Sequence, residues 1–253
     1  MKPDTVGAAA HQTSAKRAFL YLALGASDHM KSSITALKAA GVDFVVFLSS
    51  YSVSVDGGDD ISKIAPSETI AYAHAQVELV LAEVFGADGY VAVRPGWFTS
   101  NAVPWKAGIS SGELKLVSPH AEFDWISPAD IGRVCGALLV RGPQAGQGFV
   151  NLCGPKLVSQ REAAGVIARA VGREVQVGSL GEEEGVQTMV AERGVPEPVA
   201  RYLVGVLQAL GDGKMVWYEK GAYEEARENV RKLAGREPMR LEEWVEENKG
   251  LFT

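Results

Sequence analysis

The stretch Tyr90–Asn101, YVAVRPGWFTSN, decides how the chain is read. Tyr90, Val91, Ala92 and Val93 form an apolar run of strand length, and Arg94-Pro95-Gly96 ends it. Pro95 offers no N–H to a ladder, and Gly96 admits backbone angles that other residues resist. An aromatic pair and a polar exit follow: Trp97, Phe98, Thr99, Ser100 and Asn101. Ligands of parallel α/β sheets sit outside the carboxyl ends of the strands. A strand ending in Pro-Gly before two aromatics predicts a floor for a flat ring; the alternative is that Trp97 and Phe98 fill core.

Upstream of this strand, apolar runs alternate with helical patterns. Ala18–Leu24 and Val42–Leu48 are continuous apolar runs, as in parallel strands covered on both faces. Between them a helix over Met30–Ala40 is predicted, capped by Ser27 or Asp28 and stopped at Gly41. Ser67 is predicted to cap a helix reaching Phe85, with Ile70, Val77, Leu81 and Val84 on one face and His74 on or beside it. The order strand, helix, strand, helix, strand over 18–101 argues for right-handed parallel crossovers. Residues 1–17 read as a short helix or a loose tail. Asp56-Gly57-Gly58-Asp59-Asp60 lacks an ordered ligand spacing and reads as a solvated turn.

Downstream, strands are predicted at Glu113–Val117, Gly148–Leu152 and Glu174–Val177, and a helix over Pro128–Leu139 capped by Ser127. Ser159-Gln160-Arg161-Glu162 is a capping box that opens a helix ending at Gly172. Further helices are predicted over 182–193, 196–210, 222–234 and 240–248. The class is α/β with a mainly helical C-terminal lobe.

Composition sets the bounds. The 253 residues are 47% hydrophobic and 22% charged, which fits one large domain or a domain with a small lobe. The net charge of −6 and the lack of a basic stripe argue against nucleic acid and anionic membranes as partners. Cys135 and Cys153 fit neither a metal spacing nor a disulfide framework. Lys16-Arg17 before AFLYLALGA imitates a signal peptide, but the run is short and passes into a capped helix. No run approaches the ~18 apolar residues of a membrane span. The expectation is a cytoplasmic protein acting on a small molecule.

Two glycine patterns imitate functional loops. Gly108-Ile109-Ser110-Ser111-Gly112 matches GxSxG, yet a nucleophile elbow needs a strand before it and a helix after it, and here a strand follows. Gly178-Ser179-Leu180-Gly181-Glu182-Glu183-Glu184-Gly185 imitates a phosphate loop, but three glutamates stand where a pyrophosphate would lie. It reads as a helix start. His74 and Glu78, one turn apart, could serve as a ligand or acid/base pair, with no third group near them in sequence.

Several segments, in order, resemble the NmrA-like branch of the atypical short-chain dehydrogenase/reductases. These are Ala39-Ala40-Gly41-Val42 with Ser49-Ser50, His74-Ala75-Gln76-Val77-Glu78, and Arg94-Pro95-Gly96-Trp97-Phe98 with Asn101. Trp125-Ile126-Ser127-Pro128-Ala129-Asp130-Ile131, Asn151-Leu152-Cys153-Gly154-Pro155 with Ser159, Glu162 and Val171-Gly172-Arg173, and Gly235-Arg236-Glu237-Pro238 with Trp244 follow. The resemblance covers 18–250 and implies an incomplete Rossmann-like parallel sheet with a smaller, mainly helical substrate lobe. It divides the chain into a tail (1–17), the remainder of an NAD(P)-binding domain (18–103) and a substrate lobe (104–253) interwoven with the sheet.

The resemblance implies an oxidoreductase that transfers hydride between NADP or NAD and a small organic substrate. Ser49, Ser50, Pro95, Gly96, Trp97 and Phe98 would line the nicotinamide and His74 would face the ribose. Ser50 or Tyr51 would donate the proton, and Asn101, Trp105 and Trp125 would border the substrate; no metal is implied. The alternatives are a non-catalytic NAD(P)-sensing regulator and a cofactor-free pseudoenzyme. Two departures bear on the choice. The family's GxxGxxG phosphate loop has no counterpart, and Ala18–Leu24 resembles the family's fourth strand. In a 3-2-1-4-5-6 sheet this exposes one flank, as in a truncated form or one covered by residues 1–17, a second copy or a partner chain. The family's Tyr-x-x-x-Lys dyad is also missing: Ile70 and His74, or Tyr72 and Gln76, fall at its positions.

Overall fold

The computed structural model describes residues 3–23, 25–57, 60–142, 148–219 and 221–253. In chain order the first elements are α1 (Pro3–Thr13), β1 (Arg17–Tyr21), α2 (Lys31–Ala39), β2 (Phe44–Leu48), α3 (Ser52–Gly57), α4 (Thr69–Phe85) and β3 (Tyr90–Pro95). Next come α5 (Lys106–Ser111), β4 (Glu113–Leu116), β5 (Glu122–Phe123), α6 (Pro128–Arg141), β6 (Phe149–Leu152), β7 (Val158–Ser159), α7 (Gln160–Ala170) and β8 (Gln176–Ser179). Helices α8 (Glu182–Arg193), α9 (Glu197–Gly211), α10 (Ala222–Ala234) and α11 (Leu241–Asn248) complete the chain. The fold is α/β with a parallel sheet and a helix-rich C-terminal region. Two compact units form, and each is described by itself.

The first unit comprises Met1–Pro95, Ile131–Leu152 and Glu228–Arg236. Its four strands are all parallel in the order β1-β2-β3-β6. The β2 sequence FVVFL is buried on both faces except at its last residue, as expected of a strand between parallel neighbours. On one face Leu20, Val45, Phe47 and Ala92 meet Ile34 and Leu37 of α2 and Val77, Leu81 and Phe85 of α4. Each large side chain buried there contributes about 1.5–3 kcal/mol.

Four expectations for this unit change. The first strand stops at Tyr21 rather than Leu24, because its neighbour β2 ends at the paired residue Leu48; Leu24 itself lies outside the described residues. As the terminal strand, β1 is not covered on both faces: Leu20 is buried, while Phe19 and Tyr21 are 43% and 60% exposed. Ser67 does not cap α4, which begins two residues later with only backbone turns ahead of it. Neither Ser27 nor Asp28 is the N-cap of α2, which is Met30; the Asp28 carboxylate, two residues earlier, accepts the Met30 and Ser32 N–H groups and the Ser32 hydroxyl. Residues 3–13 form a helix packed on α2, where a Cβ on Gly7 would lie 3.3 Å from that of Ala36. In the acidic loop, Gly58 and Asp59 lie outside the described residues, and Asp60 accepts from the Ser62 N–H and hydroxyl.

The second unit comprises Gly96–Asp130, Cys153–Arg227 and Glu237–Thr253. Trp105, Ile109, Phe123, Trp125, Ile167, Val204, Trp244 and Phe252 are among its core residues. Strands β4 and β8 pair in parallel, and β5 and β7 pair antiparallel. Ser159 and Glu162 complete the predicted capping box on α7. The GxSxG serine lies on α5 with a strand after it, so the order needed for a nucleophile elbow is reversed. Gly181 precedes α8 and its three opening glutamates, a helix start as read from the sequence.

Candidate functional site at the β3 strand end and the Asp124 cluster

The strand end begins with a buried charge. Arg94 sits in β3 between Val93 and Pro95, 4% exposed, and a buried guanidinium must be paired. Its partner is Glu78 of α4: Arg94 Nη2 donates to Oε2 at 2.6 Å and Nε to Oε1 at 3.0 Å. The Ser49 hydroxyl donates to Glu78 Oε1 at 2.5 Å. Arg94 Nη1 reaches the Ser54 hydroxyl, which donates to Asn151 Oδ1 at 2.8 Å. The guanidinium also lies over the Phe149 ring, 4.1 Å from its centroid. The network joins β2, α3, α4, β3 and β6 at the carboxyl end of the sheet.

The other candidate residues of this unit are already engaged. The Ser50 and Ser52 hydroxyls are 2.9 Å apart. Tyr51 is buried at 3% exposure, and its N–H donates to the Pro95 carbonyl. His74 Nδ1 lies 2.9 Å from the Ile70 carbonyl, and burial holds the ring below its usual pKa and therefore neutral at physiological pH.

In the second unit a buried carboxylate organises the turn that follows β3. Asp124 is 1% exposed and accepts the Trp97 N–H at 2.8 Å, the Gly154 N–H at 2.9 Å and the Tyr218 hydroxyl. A Cβ on Gly96 would run into both the Tyr218 hydroxyl and the Asp124 carboxylate, so this glycine provides close approach. Burial pushes the Asp124 carboxyl up to about 6, against the lowering effect of its hydrogen bonds. Burial and the neighbouring Asp124 push the Tyr218 hydroxyl well above its ordinary value, so it remains protonated. Trp125 holds φ at +49°, a strained conformation for a bulky residue, next to the carboxylate. Gly154→Ala is expected to destabilise the protein by about 1–3 kcal/mol, because a Cβ there would overlap the Asp124 carbonyl. A lowered urea midpoint at unchanged slope would show it.

Aromatic rings connect this turn to the lobe core. Trp97 stacks on Phe123 at 4.3 Å, Phe123 meets Trp125 edge-on at 6.3 Å, and Trp125 meets Trp105 at 5.6 Å. Trp125 is core, with its indole N–H donated to the Val158 carbonyl. Phe98 bridges to Ile126, and the Asn101 N–H donates to the Phe98 carbonyl. The sequence candidates therefore fall in two groups: Ser49, Ser50, Tyr51, His74 and Pro95 in the first unit, and Gly96, Trp97, Phe98, Asn101, Trp105 and Trp125 in the second.

No family model matches the chain. The nitrogen metabolite regulation-like protein bik4 of Gibberella fujikuroi is 35% identical over 259 residues, which cover 96% of this chain and 77% of that protein. The chain belongs to the NmrA-like family. Among solved structures, the NADPH-dependent quinone oxidoreductase QOR2 of Escherichia coli, complexed with NADPH, superposes with a TM-score of 0.72 at 19% identity. It covers 98% of this chain and 80% of that one. NmrA, a negative transcriptional regulator, superposes with a TM-score of 0.64 at 17% identity, covering 93% and 74% of the two chains. At these identities the two structures establish the fold.

Whether this NmrA-like chain fits a dinucleotide can be tested at its first strand–helix turn. The N–H groups of Met30 and Ser32, at the start of α2, already donate to Asp28. That carboxylate is held below its usual pKa, chiefly by the Ser32 hydroxyl, so this turn presents a negative charge and no free N–H pair to an anion. The described residues of this turn do not fit a pyrophosphate. Of the strand-end aromatics, Trp97 packs against the lobe core and stacks on Phe123. Among the described residues no group of three or more His, Cys, Asp or Glu side chains gathers as for a metal ion, and no helix is long and apolar enough to cross a membrane. Both cysteines are buried and free, and burial pushes both thiols up, Cys135 to about 12, so neither is a ready thiolate.

Sequence reading missed Asp124, Tyr218 and the pairing of Glu78 with Arg94. A signal existed for the pair: Glu78 falls between Ala75 and Leu81 on a buried helix face, and Arg94 lies in an apolar strand. Two opposite charges at buried positions require each other. Tyr218 gave none, because the loop between α9 and α10 has no pattern that ties it to Asp124.

Proposed function

We propose that this chain is an NAD(P)-linked oxidoreductase acting on a small organic substrate. The observation that carries the reading is the Asp124–Tyr218 pair beside Gly96, the residue after β3, since parallel α/β sheets take their ligands at carboxyl strand ends. A nicotinamide cofactor, when bound, supplies or accepts hydride. In the first unit, Ser49, Ser50 and Pro95 are the proposed nicotinamide contacts, His74 the ribose contact, and Ser50 or Tyr51 the proton donor. In the second, Gly96, Trp97 and Phe98 are the proposed ring contacts, with Asn101 toward the substrate; Trp105 and Trp125 are core and are not among the contacts. Tyr218, kept protonated, holds a proton at Oη next to the turn, and Asp124 fixes its position.

A second reading, a dinucleotide-sensing regulator without turnover, is favoured by one observation. Whether His74 or Gln76 falls at the dyad's lysine position, neither supplies the charge a lysine would: His74 is tied to the Ile70 carbonyl and kept neutral by burial, and Gln76 carries no charge. Titration with NADPH and NADH, read by tryptophan fluorescence, tests both. A saturable signal lost in Trp97→Ala is expected, and oxidation of bound NADPH by added carbonyl or quinone substrates separates enzyme from sensor. No binding by the folded protein would overturn both readings.

A further inference from the structure

We propose that residues 214–219, between α9 and α10, form a strap that closes the turn after β3 and lifts off it as one piece, with Tyr218 as the latch. The strap and the residues it meets all belong to the second unit. Glycines stand at both ends. Gly213 holds φ at +67° and Gly221 at +94°, angles that glycine adopts freely and other residues resist. An added Cβ would meet nothing within 4 Å at either position, so backbone angle and not crowding accounts for both glycines. The backbone bonds seen in the strap lie toward its ends. Lys214 and Met215 donate to the Ala209 carbonyl, and the Glu219 carbonyl accepts from Ala222. Val216 faces outward at 66% exposure.

Between those ends the strap turns Tyr218 inward. Its hydroxyl donates to the buried Asp124 carboxylate, and its ring lies 5.2 Å from that of Tyr223. The same hydroxyl stands, with Asp124, where a Cβ on Gly96 would lie. With the strap down, a ring cannot rest on that side of Gly96. Beneath the strap the packing is incomplete. A cavity of about 270 Å³ is lined by Met215, Trp217 and Tyr218 on the strap and by His120, Leu157 and Leu210 around it. Segments with few packed contacts open locally at far lower cost than a whole domain unfolds. A side-chain hydrogen bond in the middle and a glycine at each end give a latch between two hinges. That opening admits a ligand to Gly96 rests on the oxidoreductase reading; the opening itself does not.

Cys153 reports the opening without any dinucleotide. Its thiol is fully buried and touches the Tyr218 hydroxyl, while Cys135, the other cysteine, is buried in the first unit. Labelling of the native full chain with N-ethylmaleimide, resolved by peptide mass spectrometry, measures both thiols at once. Cys153 is expected to react faster than Cys135 by about tenfold or more, because local opening costs less than unfolding of a unit. Tyr218→Phe removes the latch bond and should speed Cys153 about tenfold, the worth of one hydrogen bond, with Cys135 unchanged. Gly221→Ala leaves Tyr218 in place but strains the closed hinge, and it should speed Cys153 by a similar factor of about ten. Urea midpoints establish that both variants fold. Equal rates at the two cysteines of the parent would mean that Cys153 is reached only by general unfolding, and would overturn the strap. So would a Cys153 rate that neither variant changes, since opening would then depend on neither latch nor hinge. A failure here leaves the cofactor reading standing, and a failure to bind NADPH leaves this result standing.

Discussion

Glu78→Ala should lower the stability of the protein by about 3–5 kcal/mol, measured as a drop in the urea midpoint. The two charged side chains are 5% and 2% exposed, so removing the carboxylate leaves a guanidinium with no counter-ion in a low-dielectric interior. The Ser49 hydroxyl and Arg94 Nε lose their acceptor at the same time. Against a typical total of about 5–15 kcal/mol, this brings a domain close to unfolding at ambient temperature. Glu78→Gln should fall short of rescue, because its amide group presents N–H to the guanidinium in place of an oxygen. The double variant Glu78→Leu, Arg94→Met separates the explanations. If the loss comes from the stranded charge, removing both charges should restore most of the stability, since buried pairs are often replaced by apolar groups at little cost. If the double variant is as unstable as Glu78→Ala, the pair contributes through its geometry at the strand ends, and the desolvation argument fails.

The legible part of this chain was the part set by local pattern. FVVFL in β2 could only be a strand covered on both sides, and Ser159 with Glu162 gave α7 its first residue through a capping box that needs nothing beyond four residues. The four C-terminal helices were placed to within a residue at each end. What escaped was set by distance in sequence. Tyr218 and Asp124 are 94 residues apart, and no periodicity reports that their side chains meet. The short helices α3 and α5 escaped because six residues carry less than two turns of pattern. Gly96 was read correctly as a stop for β3, but for a reason the structure does not use, since it is not among the positive-φ glycines; the crowding by Asp124 and Tyr218 that forbids a Cβ was not visible in the sequence. Glycine spacing imitated phosphate and nucleophile loops, which context ruled out; that Gly108 and Gly185 serve close packing was not visible in the sequence.

A pH effect on stability should come from Asp124, and its sign is opposite to that of a salt-bridged carboxylate. Burial raises its folded pKa to about 6 from an unfolded value of 3.8. The folded state therefore holds the proton more tightly, so this group's contribution is fully present below about pH 4 and is lost as pH rises through 6. Between pH 4 and 7 the parent protein should lose about 2–3 kcal/mol relative to Asp124→Asn, which cannot ionise. Taking the difference between the two proteins cancels every other titrating group, including those that favour folding at higher pH. Asp124→Asn should also be less stable than the parent at pH 4 by about 1–3 kcal/mol, because its amide nitrogen cannot accept the Gly154 N–H. Tyr218→Phe supplies the complementary test. Removing the hydroxyl that donates to Asp124 takes away the largest of the hydrogen bonds holding its pKa down, so the midpoint of the stability loss should move to higher pH. A difference between parent and Asp124→Asn that stays flat from pH 4 to 7 would mean the carboxylate is ionised throughout. Tyr218 and the two backbone amides would then stabilise the charge more than burial opposes it, and the proton held beside Gly96 would belong to Tyr218 alone.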